Sequence, residues 1–287
     1  MKQVAIILLN WNGWRDTLVC LASLEKLDYS HYRVLVIDNA STDDSVTHIK
    51  TAYPDIPLII NDRNLGFGGG CNVGIVKAME EGADYIWLLN NDTEVVPSAL
   101  TAMVQVAEAD TRIGAAGSVL YYMDAPGKVQ AWGGGHVNFW LGLARHHDIH
   151  VPENRLHYLT GASLLLRREA LEQVGLFDEK FFMYWEDTDL GFRLRKKGWR
   201  LAVAEGSCIW HKESASLGKK SPLLIMYFNA SAILFFSKHA VLPVIPMLVG
   251  VSGRMIKSLV MGNWKRAIYT LKGASAQLLE MAQKRNK

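Results

Sequence analysis

Residues 4–122 alternate short, almost unbroken runs of Val, Ile and Leu with amphipathic stretches, and this alternation limits the possible folds most. The runs are VAIILLN (4–10), RVLVIDN (33–39), PLIIN (57–61), YIWLLNN (85–91) and IGAAGSVLYY (113–122). Segments this short and apolar suit strands buried on both faces, as in a parallel sheet. Between them, WRDTLVCLASLEKL carries Leu18, Leu21 and Leu24 at helical spacing. DDSVTHIKTAY and PSALTAMVQVAEA also read as helices, the second with Pro97 near its first turn. The pattern predicts an α/β fold, a Rossmann-like and mostly parallel sheet flanked by helices and joined by right-handed crossovers.

From Tyr122 to His157 the pattern gives way to Gly, Trp and His, as in AWGGGHVNFWLGLARHHDIH, which predicts a long loop or insertion. Regularity returns with YLTGASLLLRREALEQVG, a strand and then a helix that Gly175 can end. A helix over 187–197 and a strand RLAVAE follow. After about Leu217 the chain becomes strongly apolar. PLLIMYFNASAILFF and AVLPVIPMLVGV are separated by Lys238 and His239, and the second is broken by Pro243 and Pro246. Neither run reaches the ~18 uninterrupted apolar residues of a spanning helix. The expectation is a main domain over 1–217 and a C-terminal helical extension over 218–287, lying on a membrane or on the main domain.

Charge is unevenly spread. Ser252–Lys287 holds eight Lys and Arg against one acid, Glu280, although the whole 287-residue chain is only +3. Most of the chain is therefore mildly acidic, and its basic tail suits an anionic surface, membrane or nucleic acid. Cys20, Cys71 and Cys208 are far apart with no CxxC spacing, which argues against a disulfide framework or structural zinc and fits a reducing compartment. The apolar run Val4–Leu9 is too short for a signal peptide and reads as a strand.

Ligands of open parallel sheets bind at the carboxyl ends of the strands. Those ends are Asn10–Trp11–Asn12, Asp38–Asn39, NDRNLGFGGGCN and NNDT, a polar, amide-rich and acidic set. The Gly-rich NLGFGGGCNVG opens a helix and suits either ligand contact or a tight connection. Asp92 can ligate Mg²⁺ or Mn²⁺ when substrate phosphates complete the shell, or simply cap a turn. Asp38 can hydrogen-bond a base or ribose, or start an Asx turn. In FFMYWEDTDLGFRLRKKG, Glu186, Asp187 and Asp189 open a helix that Arg193, Arg195, Lys196 and Lys197 close, which complements the macrodipole. The aromatic cluster just before those acids is unexplained by helix capping; sugar binding and general-base catalysis would both use it. His211 in CIWHKES is structural or a metal ligand.

Taken together, ILLNWNG, VLVIDNASTDDS, NLGFGGGCNVGI, YIWLLNNDTEV, the block from LTGAS to KKGW, and WHKESAS resemble family 2 glycosyltransferases of the GT-A fold. The bacterial rhamnosyltransferase branch is the most similar, and the matching pieces span residues 4 to about 216. The resemblance implies that Asn10 and Trp11 line the base pocket and that Asp38 binds the base or ribose. It implies that Asn64, Gly66, Asn91 and Asp92 approach the donor. Asp92 would be the metal ligand of a DxD-type motif in which Asn90 replaces the first acid, with His211 completing the shell. Asp187 would be the catalytic base, beside Trp185 and Glu186 on the acceptor side. The implied reaction is inverting transfer from a nucleotide-diphosphate sugar, dTDP-rhamnose first, to a lipid-linked saccharide in surface polysaccharide synthesis. It would take place at the cytoplasmic face of the membrane, with peripheral membrane contact and no nucleic acid. Two other readings remain at this point. One is a nucleotide-sugar-binding, membrane-peripheral protein without activity. The other is a Rossmann-type oxidoreductase, for which NWNGW offers a single glycine after the first strand.

Overall fold

The computed structural model describes residues 1–212 and 221–285. The first half runs β1 (Val4–Asn10), α1 (Trp14–Leu24), β2 (Tyr32–Asp38), α2 (Ser45–Ala52) and β3 (Leu58–Ile60). It continues with α3 (Gly66–Glu80), β4 (Tyr85–Asn90), β5 (Thr93–Val95), α4 (Ala99–Ala109) and β6 (Ile113–Tyr122). Each apolar run read from the sequence is a strand, because hydrophobic side chains on both of its faces need cover from two helical layers.

The main sheet has nine strands in the order β3-β2-β1-β4-β11-β6-β12-β5, with β7 paired to β6; β7 spans Ala125–Trp132, β11 Ser163–Arg167 and β12 Arg200–His211. β1 to β4, β6 and β12 run one way, whereas β5, β7 and β11 run against their neighbours. The sheet is thus mixed, with β11 inserted antiparallel between β4 and β6. Val4, Ile6 and Leu8 face a core shared with α1 and α4, and Ala5 and Ile7 face a second core under α3 and α5 (Arg168–Val174).

Register decides where the site lies. Asn10 aligns with Asp38 and Leu9 with Asn90, so the polar strand ends meet at one edge. His211 ends β12 opposite Thr93 of β5, and Lys212 N–H donates to the Asp92 carbonyl at 3.0 Å. A residue far along the chain is thereby clamped beside the end of β4.

The predicted loop between Tyr122 and His157 is instead structured. β7 extends the main sheet, while β8 (Gly134–Asn138) and β9 (Leu143–His146) form a hairpin that pairs with β10 (Tyr158–Leu159) in a second, three-stranded sheet. The glycines that suggested a loop allow close packing: a Cβ at Gly134 would collide with the Tyr158 carbonyl, and one at Gly135 with the Arg145 carbonyl.

After α6 (Glu186–Lys196) and β12 come α7 (Pro222–His239), α8 (Val244–Val260) and α9 (Trp264–Arg285). The domain boundary expected at 217/218 lies outside the described residues. α7 packs on the second sheet and on the segment before α6, where Phe235 and Phe236 share a core with Val137, Tyr158, Phe181 and Trp185. Among the described residues no helix is long and apolar enough to cross a membrane.

Candidate active site

A cavity of about 420 Å³ opens at the carboxyl edge of the sheet. Its floor is Trp11, Asn39 and the end of β4, its roof the start of α6, and its far wall Leu224 and Phe228 of α7. Of the residues singled out from the sequence, Trp11, Asn64, Gly66, Asn91, Asp92, Trp185, Glu186, Asp187 and His211 all line it.

Asn10 and Asp38 do not line it. Both are fully buried behind the strand ends. The Asp38 carboxylate accepts from Asn10 Nδ2 at 2.7 Å, from Ser41 Oγ at 2.6 Å and from Ser41 N–H at 2.9 Å. Asn10 Oδ1 in turn accepts from the Thr17 hydroxyl, and Asn91 Nδ2 donates to that same hydroxyl at 2.8 Å. This network pins the ends of β1, β2 and β4 to one another.

Asn39 organises the glycine loop. Its Nδ2 donates to Asn64 Oδ1 and to the Gly66 carbonyl, while its Oδ1 accepts from Leu65 N–H and Asn61 Nδ2. Gly66 has φ +75°, and a Cβ there would run into the Phe182 carbonyl. Glycine is therefore required where the loop passes beneath the aromatic segment before α6.

At the end of β4, Asp92 Oδ1 lies 3.2 Å from His211 Nε2. His211 Nδ1 lies 2.8 Å from Gln130 Oε1, and Asn90 Nδ2 lies 3.2 Å from His211 Nε2. Gln130 Oε1 can only accept, so Nδ1 is the nitrogen that donates to it, and Nε2 is the ring nitrogen turned toward the Asp92 carboxylate. Two electron-rich atoms so placed fit a divalent cation between them, with Gln130 as the partner that orients the imidazole. Among the described residues no group of three or more His, Cys, Asp or Glu could hold a metal. A cation here would take this pair as its protein donors, with substrate phosphates and water filling the remaining positions.

The three acids of α6 have distinct surroundings. Asp187 faces the cavity. Its Oδ2 accepts from Gly161 N–H at 2.9 Å, and its Oδ1 accepts from Thr188 N–H at 2.6 Å and Thr188 Oγ1 at 3.1 Å. Burial pushes the Asp187 carboxyl above its ordinary value, opposed by these hydrogen bonds and by nearby His146. Glu186 is buried with no partner for Oε2 among the described residues, and burial, then the Asp187 charge, holds it well above the usual range. Asp189 is fully buried among Arg193, Lys238 and His239. Burial alone would raise it, but those three partners hold it well below the carboxylate range. It locks α6 to α7.

The turn before α6 is strained. Tyr184 and Trp185 are consecutive left-handed residues with φ 68° and 69°, each costing about 1–2 kcal/mol. Burial of the Trp185 ring against Phe235, Phe236 and Phe228 offsets this. The outcome is an abrupt helix start that turns Asp187 into the cavity. The aromatic cluster therefore serves this turn as well as the cavity wall.

Several wall residues escaped the sequence reading, Leu224 and Phe228 of α7 among them. His146 and Ala144 come from the β8–β9 hairpin, Tyr158 from β10, and Thr160 from the following turn. The Tyr158 hydroxyl lies 3.3 Å from His146 Nδ1. The His-rich composition of the insertion was the available signal.

Comparison with known proteins bears on the family and the fold. Residues 5–175 match the family described as Glycosyl transferase family 2. The chain is 29% identical over 242 residues, 76% of this chain and 78% of the relative, to N-acetylglucosaminyl-diphospho-decaprenol L-rhamnosyltransferase of Mycobacterium tuberculosis. It is 30% identical over 210 residues to O-antigen biosynthesis protein RfbC of Myxococcus xanthus, covering 67% of this chain and 16% of that one. Among solved structures, a Pyrobaculum calidifontis mannosyltransferase in complex with GDP-Man and Mn²⁺ aligns with TM-score 0.61 and 16% identity, covering 100% of this chain and 81% of that one. GalNAc-T7 with UDP, GalNAc and Mn²⁺ aligns with TM-score 0.69 and 14% identity, covering 99% of this chain and 57% of that one. These likenesses carry the GT-A-type fold, and the family match makes the chain a glycosyltransferase of family 2.

Proposed function

We propose that the protein transfers a sugar, L-rhamnose from dTDP-rhamnose in the first instance, with inversion to a hydroxyl of a lipid-linked saccharide. The site of action in this reading is the cytoplasmic face of the cell membrane, in surface polysaccharide synthesis. One observation carries it: the Asp187 carboxylate and the Asp92–His211 pair open into a single cavity. The name of the mycobacterial relative supports both the sugar and the polyprenyl-diphosphate saccharide as acceptor.

In the mechanism, Gly161 and Thr188 hold Asp187 with its carboxylate facing the cavity. Asp187 takes the proton of the acceptor hydroxyl as that oxygen bonds to the anomeric carbon. The bond from that carbon to the diphosphate oxygen breaks, and the diphosphate leaves with the electron pair. A raised pKa makes Asp187 a stronger base than an exposed carboxylate. Asp92 and His211 would hold a divalent cation, Mg²⁺ or Mn²⁺, which would supply positive charge where the leaving diphosphate develops negative charge. Trp11, Asn64, Gly66 and Asn91 face the donor, with Asn10 and Asp38 bracing that side from behind. Trp185 and Glu186 wall the acceptor side, and each retains a buried polar atom with no partner among the described residues.

The test is a transfer assay with dTDP-rhamnose, UDP-galactose, UDP-glucose and GDP-mannose. Each is offered with a synthetic lipid-diphosphate N-acetylglucosamine and Mg²⁺ or Mn²⁺. The products are read by mass spectrometry and by the anomeric configuration in NMR. Product from dTDP-rhamnose alone, with inverted configuration, supports the proposal. Product from another donor replaces the sugar, and retained configuration removes Asp187 as the sole base. Nucleotide-sugar binding without any product favours a non-catalytic binding protein.

A further inference from the structure

We propose that α8 and α9 form a docking face for an anionic lipid leaflet, an inference that deepens the reading above and rests on its lipid-linked acceptor. Every fourth residue of α8 from Val244 forms an exposed row: Val244, Leu248, Ser252, Ile256 and Val260. The buried residues Pro246, Gly250 and Ser258 lie on the opposite side. The helix therefore presents apolar residues to solvent as well as to the protein. Leu248 is 64% exposed, Val260 82% and Trp264, just beyond α8, 66%.

α9 repeats the arrangement. Ala267, Thr270 and Ala274 are buried, while Trp264, Ile268, Leu271 and Leu278 form an exposed stripe beside them. At about 3.6 residues per turn, Lys265 and Lys272 fall along the outer edge of that stripe. A buried face, an exposed apolar stripe and then cations is the order an interfacial helix needs. Apolar side chains enter the headgroup boundary while the lysines reach the phosphates. Exposed apolar faces of this extent mark interaction sites.

Charge selects the occupant. Lys257, Lys265, Arg266 and Lys272 are all exposed on α8 and α9, Lys265 and Lys272 at the edge of the α9 stripe, and Glu280 is the single acid from Ser252 onward. A twofold pairing of two copies through this face would oppose like charges, because such an interface sets a patch against itself. An anionic leaflet complements it instead.

The face is also the outer layer of the cavity wall. α9 packs on α7 so closely that a Cβ at Gly273 would strike the Met226 carbonyl, and α7 supplies Leu224 and Phe228 to the cavity. The β8–β9 hairpin is bolted to α8: a Cβ at Gly142 would strike the Pro246 carbonyl, and Arg254 Nη1 donates to the Gly142 carbonyl at 2.9 Å. That hairpin carries His146 and Ala144 into the cavity. Seating α8 and α9 on a leaflet thus holds the acceptor wall beside the lipid that bears the acceptor.

Flotation of the full-length protein with phosphatidylcholine vesicles, with and without phosphatidylglycerol, tests this. The wild type should partition at least tenfold more strongly onto the anionic vesicles. The pair Lys265→Glu and Lys272→Glu should lose at least ~20-fold, since each cation near an anionic surface is worth about fivefold. Combined Leu248→Gln, Ile256→Gln and Ile268→Gln should lose at least tenfold in partition and in transfer to acceptor embedded in vesicles. Turnover of a water-soluble short-chain acceptor should stay within twofold, which shows that the variant is folded. Two results overturn the proposal. One is a triple variant that floats like the wild type. The other is a dimer in light scattering that the same substitutions split, which would give the face to a second copy. Anionic-vesicle binding as expected with no transfer to any lipid-linked saccharide would sink the proposed reaction and leave the docking face standing.

Discussion

Replacing Asp189 with Asn removes a charge on which Arg193, Lys238 and the His239 ring converge from two helices. Arg193 Nε lies 2.7 Å from Oδ2, and Lys238 Nζ and His239 Nε2 lie 2.6 and 2.8 Å from Oδ1. The carboxylate has no solvent exposure, whereas the side chains of Arg193, Lys238 and His239 are 20%, 30% and 14% exposed. Removing one partner of a buried ion pair costs 3–5 kcal/mol, and the partial water access of the cations puts this case near the low end, about 3 kcal/mol. At roughly 2–3 °C per kcal/mol for a chain of this size, Tm should fall by roughly 6–9 °C at pH 7. The pH dependence has a definite sign. The folded carboxyl titrates below the unfolded one, so its stabilisation is complete above the unfolded value near 4 and drains away at lower pH. Scanning calorimetry of both proteins from pH 7 downward should show a gap that is widest at neutral pH and closes in acid. Equal Tm values at pH 7, or a gap that widens as pH falls, would refute the ionised lock between α6 and α7.

Three further outcomes follow from the same geometry. Gln130→Ala should raise the Mn²⁺ or Mg²⁺ concentration for half-maximal activity about 10- to 100-fold, because it frees the His211 ring while leaving both ligands in place; an unchanged metal titration would place the cation elsewhere. Gly66→Ala should abolish donor affinity in a binding titration, as left-handed backbone costs Ala about 1–2 kcal/mol before the collision with Phe182 is counted. Gly82→Ala, also at positive φ but with nothing within 4 Å, should keep full affinity. His146→Ala removes a neighbour that lowers the Asp187 pKa, so the acidic limb of the pH–rate profile should move to higher pH; a limb that stays put separates His146 from the base.

The first half of the fold was legible because both signals there are local. Continuous apolar runs mark doubly covered strands, and the residues after each run mark the ligand edge. The family resemblance also placed Asp92 and His211 together, and the β5–β12 pairing brings them to 3.2 Å. Asn10 and Asp38 show the limit of the local reading. A polar residue at a strand end is chemically the same whether it faces a ligand or ties strands together, and only packing distinguishes the two. Asp189 was hidden for the same reason, since its partners Lys238 and His239 lie about fifty residues away. The β8–β9–β10 sheet was read as a loop or insertion because its Gly-rich sequence lacks apolar alternation; its glycines answer to close backbone approach. The antiparallel insertion of β11 between β4 and β6 is likewise a matter of topology that no run of residues announces.

The account stands most directly on Asp187 as the base. Asp187→Asn keeps the size and hydrogen-bonding reach of the side chain while removing its capacity to take a proton. The measurement is the turnover of this variant beside its Kd for dTDP-rhamnose with Mn²⁺. Turnover should fall about a hundredfold to ten-thousandfold, the range a general base contributes, with donor affinity held within about threefold. Turnover within tenfold of wild type, or a loss of donor binding that accounts for the whole defect, would contradict it.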